Sequence, residues 1–151
     1  MESNVMPSVN PFSTGFDVSG HGLDELFPVV DPEFRPFGSR VLVQLRRTVN
    51  KTKSGIVLVS ATKETEAWNI QVAKIISCGP LAFKRRDTAT DWPEGVWAKV
   101  GDFVKVPRWG GDRWSLDLDD GGEPVAIVLC NDSDLIGAYT GDPLKIKAYL
   151  A

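Results

Sequence analysis

The residues able to do covalent or metal chemistry are few: one histidine, two cysteines and a short run of aspartates. His21 stands between Gly20 and Gly22 in a segment without periodicity, and reads as a solvated side chain rather than a general base. Cys78 and Cys130 have no second Cys or His close in sequence. A zinc site is therefore short of ligands, and no motif supplies the base of a Cys–His nucleophile. Both cysteines read as reduced, buried small residues. Asp117, Asp119 and Asp120 resemble a calcium loop in composition, yet lack the glycine and the bidentate glutamate at the required positions. Followed by Gly121-Gly122, they read as a tight hairpin turn. GxGxxG, a phosphate-cradling Gly-Lys-Ser/Thr loop and HExxH are missing. No cofactor and no metal is expected, and no enzymatic activity.

The remaining candidate chemistry is that of binding. Thr48–Glu66 is a connection of about 19 residues between two strand-like segments, longer than a hairpin needs, and such loops are functional or disordered. Its flanks are rich in Lys, Thr and Ser, and its centre, introduced by Gly55, is the apolar run Ile56, Val57, Leu58 and Val59. Two readings compete on these residues alone. In one, Ile56–Val59 is an ordinary strand. In the other, Gly55–Val59 is a hydrophobic hook on a tether that orders when it enters a groove on a partner.

The elements that would position such a loop are β-strands. Arg40–Arg46 places Val41, Val43 and Leu45 on one face and Leu42, Gln44 and Arg46 on the other. Ile70–Ile76 repeats the alternation, with Val72 and Ile76 opposite Gln71, Ala73 and Ile75. Phe103–Val106 follows the turn Val100-Gly101-Asp102. Trp114, Leu116 and Leu118 alternate with Ser115 and Asp117, and Val125, Ile127 and Leu129 with Ala126 and Val128. Asn131 is placed to cap a single turn over 132–137, and Gly22–Phe27 to form one helical turn before Pro28. With no long amphipathic pattern, the chain reads as all-β, most simply a small barrel, whose closure removes exposed strand edges.

The 151 residues suit one domain with extensions, and 42% hydrophobic with 25% charged residues is a globular balance. Three segments are expected: an acidic arm over 1–34, a barrel domain over 35–138 and a C-terminal extension over 139–151. The arm holds six acids and no Lys or Arg; its scattered apolar residues pack on its own domain or reach a neighbour. Residues 35–111 carry 14 bases against 6 acids, and residues 112–151 carry 8 acids against 3 bases. Because the bases are interspersed among strand residues, pairing between segments or subunits explains them better than nucleic acid. No apolar run is long enough for a membrane helix, and the N-terminal residues lack a secretory pattern. A cytoplasmic protein without nucleic-acid or membrane partners is expected.

Five stretches in order resemble the GroES-type co-chaperonins. Phe34-Arg35-Pro36-Phe37-Gly38-Ser39-Arg40-Val41-Leu42-Val43 resembles their opening strand, and Lys51-Thr52-Lys53-Ser54-Gly55-Ile56-Val57-Leu58 their mobile loop with its chaperonin-binding tripeptide. Val72–Pro80 is similar to the strand leading to their roof hairpin, Val100–Val104 to the next turn and strand, and Asp132–Ile136 to the closing segment. The departures are Ser54 where the family commonly has a second glycine, the arm, the extension after Ala138, and Lys84-Arg85-Arg86 with Trp92-Pro93 in the roof segment. Such embellishment is typical of bacteriophage-encoded relatives.

The resemblance implies a small GroES-like β-barrel with a long mobile loop, a roof-type hairpin insertion and extended termini. It further implies a homo-heptameric ring, formed by terminal strands of neighbouring barrels, that caps a GroEL-type chaperonin through Gly55, Ile56, Val57, Leu58 and Val59. Each hook would bind weakly, because ordering costs roughly 1–2 kcal/mol per residue while each buried apolar side chain contributes about 1.5–3 kcal/mol. Linking seven hooks makes later contacts intramolecular. The alternative reading is a structural virion component, such as a capsid decoration protein whose loop and arm clamp the major capsid protein.

Overall fold

The computed structural model describes residues 22–48 and 70–146. One helical turn, α1 (Leu23–Leu26), precedes six strands. These are β1 (Arg40–Leu45), β2 (Val72–Cys78), β3 (Phe103–Lys105), β4 (Asp112–Leu116), β5 (Val125–Asn131) and β6 (Gly137–Ala138). They form a single antiparallel sheet in the order β4-β5-β1-β2-β3-β6. The all-β expectation holds. Among the described residues the ladder ends at β4 and β6 without pairing the two.

That packing follows the alternation. Val41, Val43 and Leu45 of β1 meet Ala73 and Ile75 of β2, Val104 of β3, and Val128 and Cys130 of β5 in one core. The second strand is displaced from its expected span of 70–76 to Val72–Cys78. Within it, Val41 pairs with Cys78 and Leu42 with Ser77, but Val43 pairs with Ile75, so Ile76 is the extra residue of a β-bulge. Beyond Cys78 the chain turns so closely that a Cβ on Gly79 would lie 2.2 Å from the Gly38 carbonyl oxygen. The turn after β5 is a single 3₁₀ turn, Asp132–Asp134, entered through the Asp134 carboxylate accepting from the Asn131 N–H.

The opposite face of the sheet is covered by the chain itself. Leu42, Val125 and Ile127 are buried with Trp114, Leu116, Leu118 and Leu129, and Val30 lies among them. Phe34 packs on Trp114 with ring centroids 5.1 Å apart. Leu26 and Phe27 join Val72 and Leu144 in a separate buried cluster, where the Phe27 ring stands edge-on to Phe103 at 4.9 Å. The described part of the arm thus runs across the sheet it precedes. Residues 1–21 lie outside the described part of the chain.

Candidate functional site

The expected hook, Gly55, Ile56, Val57, Leu58 and Val59, lies outside the described residues. What the structure presents is the neck at which that connection begins and ends. Where β1 stops, the Arg46 N–H donates to the Val72 carbonyl over 2.9 Å, tying the outgoing strand to the returning one. On the returning side Gln71 is held twice: its carbonyl accepts from the Val106 N–H and its Nε2 donates to the Val106 carbonyl, both at 3.0 Å. Ile70, just before it, is buried in the core.

Two consecutive arginines fix the outgoing side. Arg46 is 2% exposed, and its guanidinium donates to the carbonyls of Pro143, at 3.0 Å, and Ile146. Burying a cation is costly unless its donors are met, and here two backbone carbonyls of the C-terminal segment accept from its Nη1. Arg47 donates from its backbone to the Leu26 carbonyl at 2.9 Å. Its side chain clasps the β4–β5 turn, with Nε on the Glu123 carbonyl at 2.6 Å and both Nη atoms on the Asp120 carboxylate at 2.7 Å each. Such a two-pronged contact matches the planar guanidinium to the carboxylate. Hydrogen bonding from Arg47, aided by the Gly122 N–H, holds the Asp120 carboxyl well below the ordinary carboxylate range. The aspartate run is therefore a hairpin turn pinned by Arg47, as expected. Among the described residues no group of three or more His, Cys, Asp or Glu is placed to hold a metal.

Sequence reasoning did not single out Gln44, Arg46, Arg47 or Asp132, the buried polar side chains of the described chain. A signal was present: polar residues interrupting an apolar strand, followed by a doublet of arginines where a long connection begins. Asp132, 2% exposed, joins the roof segment to the closing one. It accepts the Phe83 N–H at 2.7 Å and pairs with Arg86 at 2.9 Å. Its basic neighbours also meet acids within the hairpin, Lys84 with Asp91 and Arg85 with Asp87. The run Lys84-Arg85-Arg86 is thus spent on internal pairing. Trp92 and Trp97 stack 5.4 Å apart, with the Phe83 ring 6.2 Å from Trp97.

The cysteines offer no reactive centre. Cys78 on β2 and Cys130 on β5 flank Val41 from opposite sides, two strand spacings apart, beyond disulfide reach. Both are free, and burial pushes the Cys130 thiol up to about 11 and raises that of Cys78. At the other end of the sheet, β6 leaves an edge beside a groove of about 510 Å³ lined by Val96, Trp97, Ala98, Leu135 and Ile136, among others. Val96 and Ile136 are exposed there, the latter at 59%.

The comparisons agree with this arrangement. Residues 33–139 match the family "Chaperonin 10 Kd subunit". The co-chaperonin GroES of Acetivibrio thermocellus is 35% identical over 99 residues, which cover 65% of this chain and 90% of the relative. That of Caulobacter sp. strain K31 is 30% identical over 105 residues, 70% and 95% of the two chains. Co-chaperonin GroES 1 of Rhodopseudomonas palustris is 35% identical over 104 residues, 69% and 92%. With the matched span running from before β1 to the end of β6, the chain belongs to the chaperonin 10 kDa family of co-chaperonins.

Proposed function

We propose that the chain is the lid subunit of a GroEL-type chaperonin. In this reading it assembles into a homo-heptameric ring in the cytoplasm, presents one hydrophobic hook per subunit and assists ATP-dependent folding of clients inside the capped chamber. It catalyses nothing and binds no nucleotide itself; its work is docking and release. The observation that carries the reading is the family match over 33–139, which spans the neck and the Lys51–Leu58 stretch between its two sides. The ring is supported by the β6 edge, unpaired among the described residues, and the groove beside it, which can take a strand from a neighbouring barrel. The relatives named are bacterial, and no observation bears on a bacteriophage origin or favours a capsid role.

Co-elution with a GroEL-type chaperonin, with and without ATP or ADP, tests the proposal. Nucleotide-dependent binding by the wild-type chain and its loss in Ile56→Asp, with the ring intact, is the expected outcome. Failure of the wild type to bind the chaperonin of the cell in which it is made, with any nucleotide, overturns the lid reading. Loss of the ring in Ile56→Asp would instead make Ile56 a core residue.

A further inference from the structure

We propose that the segments around Leu26–Pro28 and Pro143–Ile146 act as one clasp that fixes the Arg46–Arg47 corner of the neck. Both lie outside the span matched by the family, so the clasp is an addition to the shared barrel. They meet each other as well as the sheet: Leu26, Phe27, Leu144 and Val72 form a single buried cluster, with Phe103, Tyr139 and Ile146 packed against it.

Three polar groups at the end of β1 then reach into the clasp. The Gln44 Nε2 donates to the Pro28 carbonyl at 2.8 Å, the Arg47 N–H to the Leu26 carbonyl, and the Arg46 guanidinium to the Pro143 and Ile146 carbonyls. The Asp142 carboxylate, accepting from the Leu144 N–H at 2.9 Å, sets the 3₁₀ turn that aims the Pro143 carbonyl inward. If the C-terminal segment leaves, the guanidinium of Arg46 loses these two acceptors. Leu26 and Phe27 lose the apolar partner Leu144 in the same event. Docking of both termini and rigidity of the corner therefore stand or fall together, and two terminal additions set how firmly the connection is anchored. The consequence for a chaperonin hook rests on the lid reading.

Amide hydrogen exchange of the full chain tests the clasp without any chaperonin. In Leu144→Ser, exchange at the Arg47 amide, which is bonded to the other terminus, is expected to quicken about tenfold or more. The Val43 amide in the middle of β1 should keep its rate. An unchanged Arg47 amide overturns the proposal, because the termini would then dock independently. Equal acceleration at Val43 overturns it too, because Leu144 would then be ordinary core. Arg46→Met, which leaves the apolar cluster intact but removes the Nη1 donor shared by the Pro143 and Ile146 carbonyls, should also quicken Arg47; no change there counts against the clasp. An amide rate is read in each case, so failure of the clasp and failure of chaperonin binding are separate results.

Discussion

Arg47 holds three things at once: the Leu26 carbonyl through its backbone, and the Glu123 carbonyl and Asp120 carboxylate through its side chain. The carboxylate end of this clasp titrates. Hydrogen bonding from Arg47 depresses the folded-state pKa of Asp120, so its contribution to stability is complete above the unfolded value, near 4, and fades as pH falls toward the folded one. The melting temperature of Asp120→Asn should therefore lie below that of the wild type at neutral pH, with a gap that narrows as pH drops below about 4. A gap independent of pH would mean that the turn, and not the ion pair, carries the effect. At this scale the sequence is least transparent. The residue types in Gln44-Leu45-Arg46-Arg47 are visible, but the acceptors of Arg46 lie about a hundred positions away, at Pro143 and Ile146. No local pattern announces such partners, because a backbone carbonyl has the same chemistry at every position.

At the scale of elements the alternation was legible and its meaning only half so. Val41, Val43 and Leu45 line the main core as the period of two predicts. Leu42 lies on the second face, and whether that face meets water is not encoded in β1 at all. It is decided by Val30, Phe34 and the strand neighbours, and the arm's contribution comes from an irregular stretch in which no period could be read. The bulge at Ile76 was equally hidden, since register depends on how two distant strands meet. The two readings of Leu42 separate by magnitude. A solvent-facing leucine truncated to alanine changes stability by about 0.5 kcal/mol or less, whereas a buried one costs about 2–5 kcal/mol. Leu42 is fully buried, so Leu42→Ala should shift the denaturant midpoint by an amount in the larger range without altering the slope. A shift in the smaller range would mean that the arm does not cover the sheet in solution.

For the whole molecule, a single sheet has two ends, and they are not equivalent. Beside β4, Trp114 is covered by the chain's own Phe34, while β6 stands next to exposed Val96 and Ile136 and an open groove. An edge of that kind invites a strand from another chain, and in the proposed ring each subunit supplies one. Ile136 is exposed in the isolated chain, so a charge there should leave the fold intact and act only when the edge is covered. Ile136→Asp is accordingly expected to keep the β signal by circular dichroism and to elute as a monomer or small oligomer where the wild type elutes as a ring. Its hook sequence is untouched, yet binding to a GroEL-type chaperonin should fall by about 10²–10⁴, the gain that linking modules provides over a single one. A variant that remains a ring would place the subunit contact elsewhere. A variant that is monomeric yet binds as tightly as the wild type would show that one hook suffices, removing the physical reason for a ring of weak hooks.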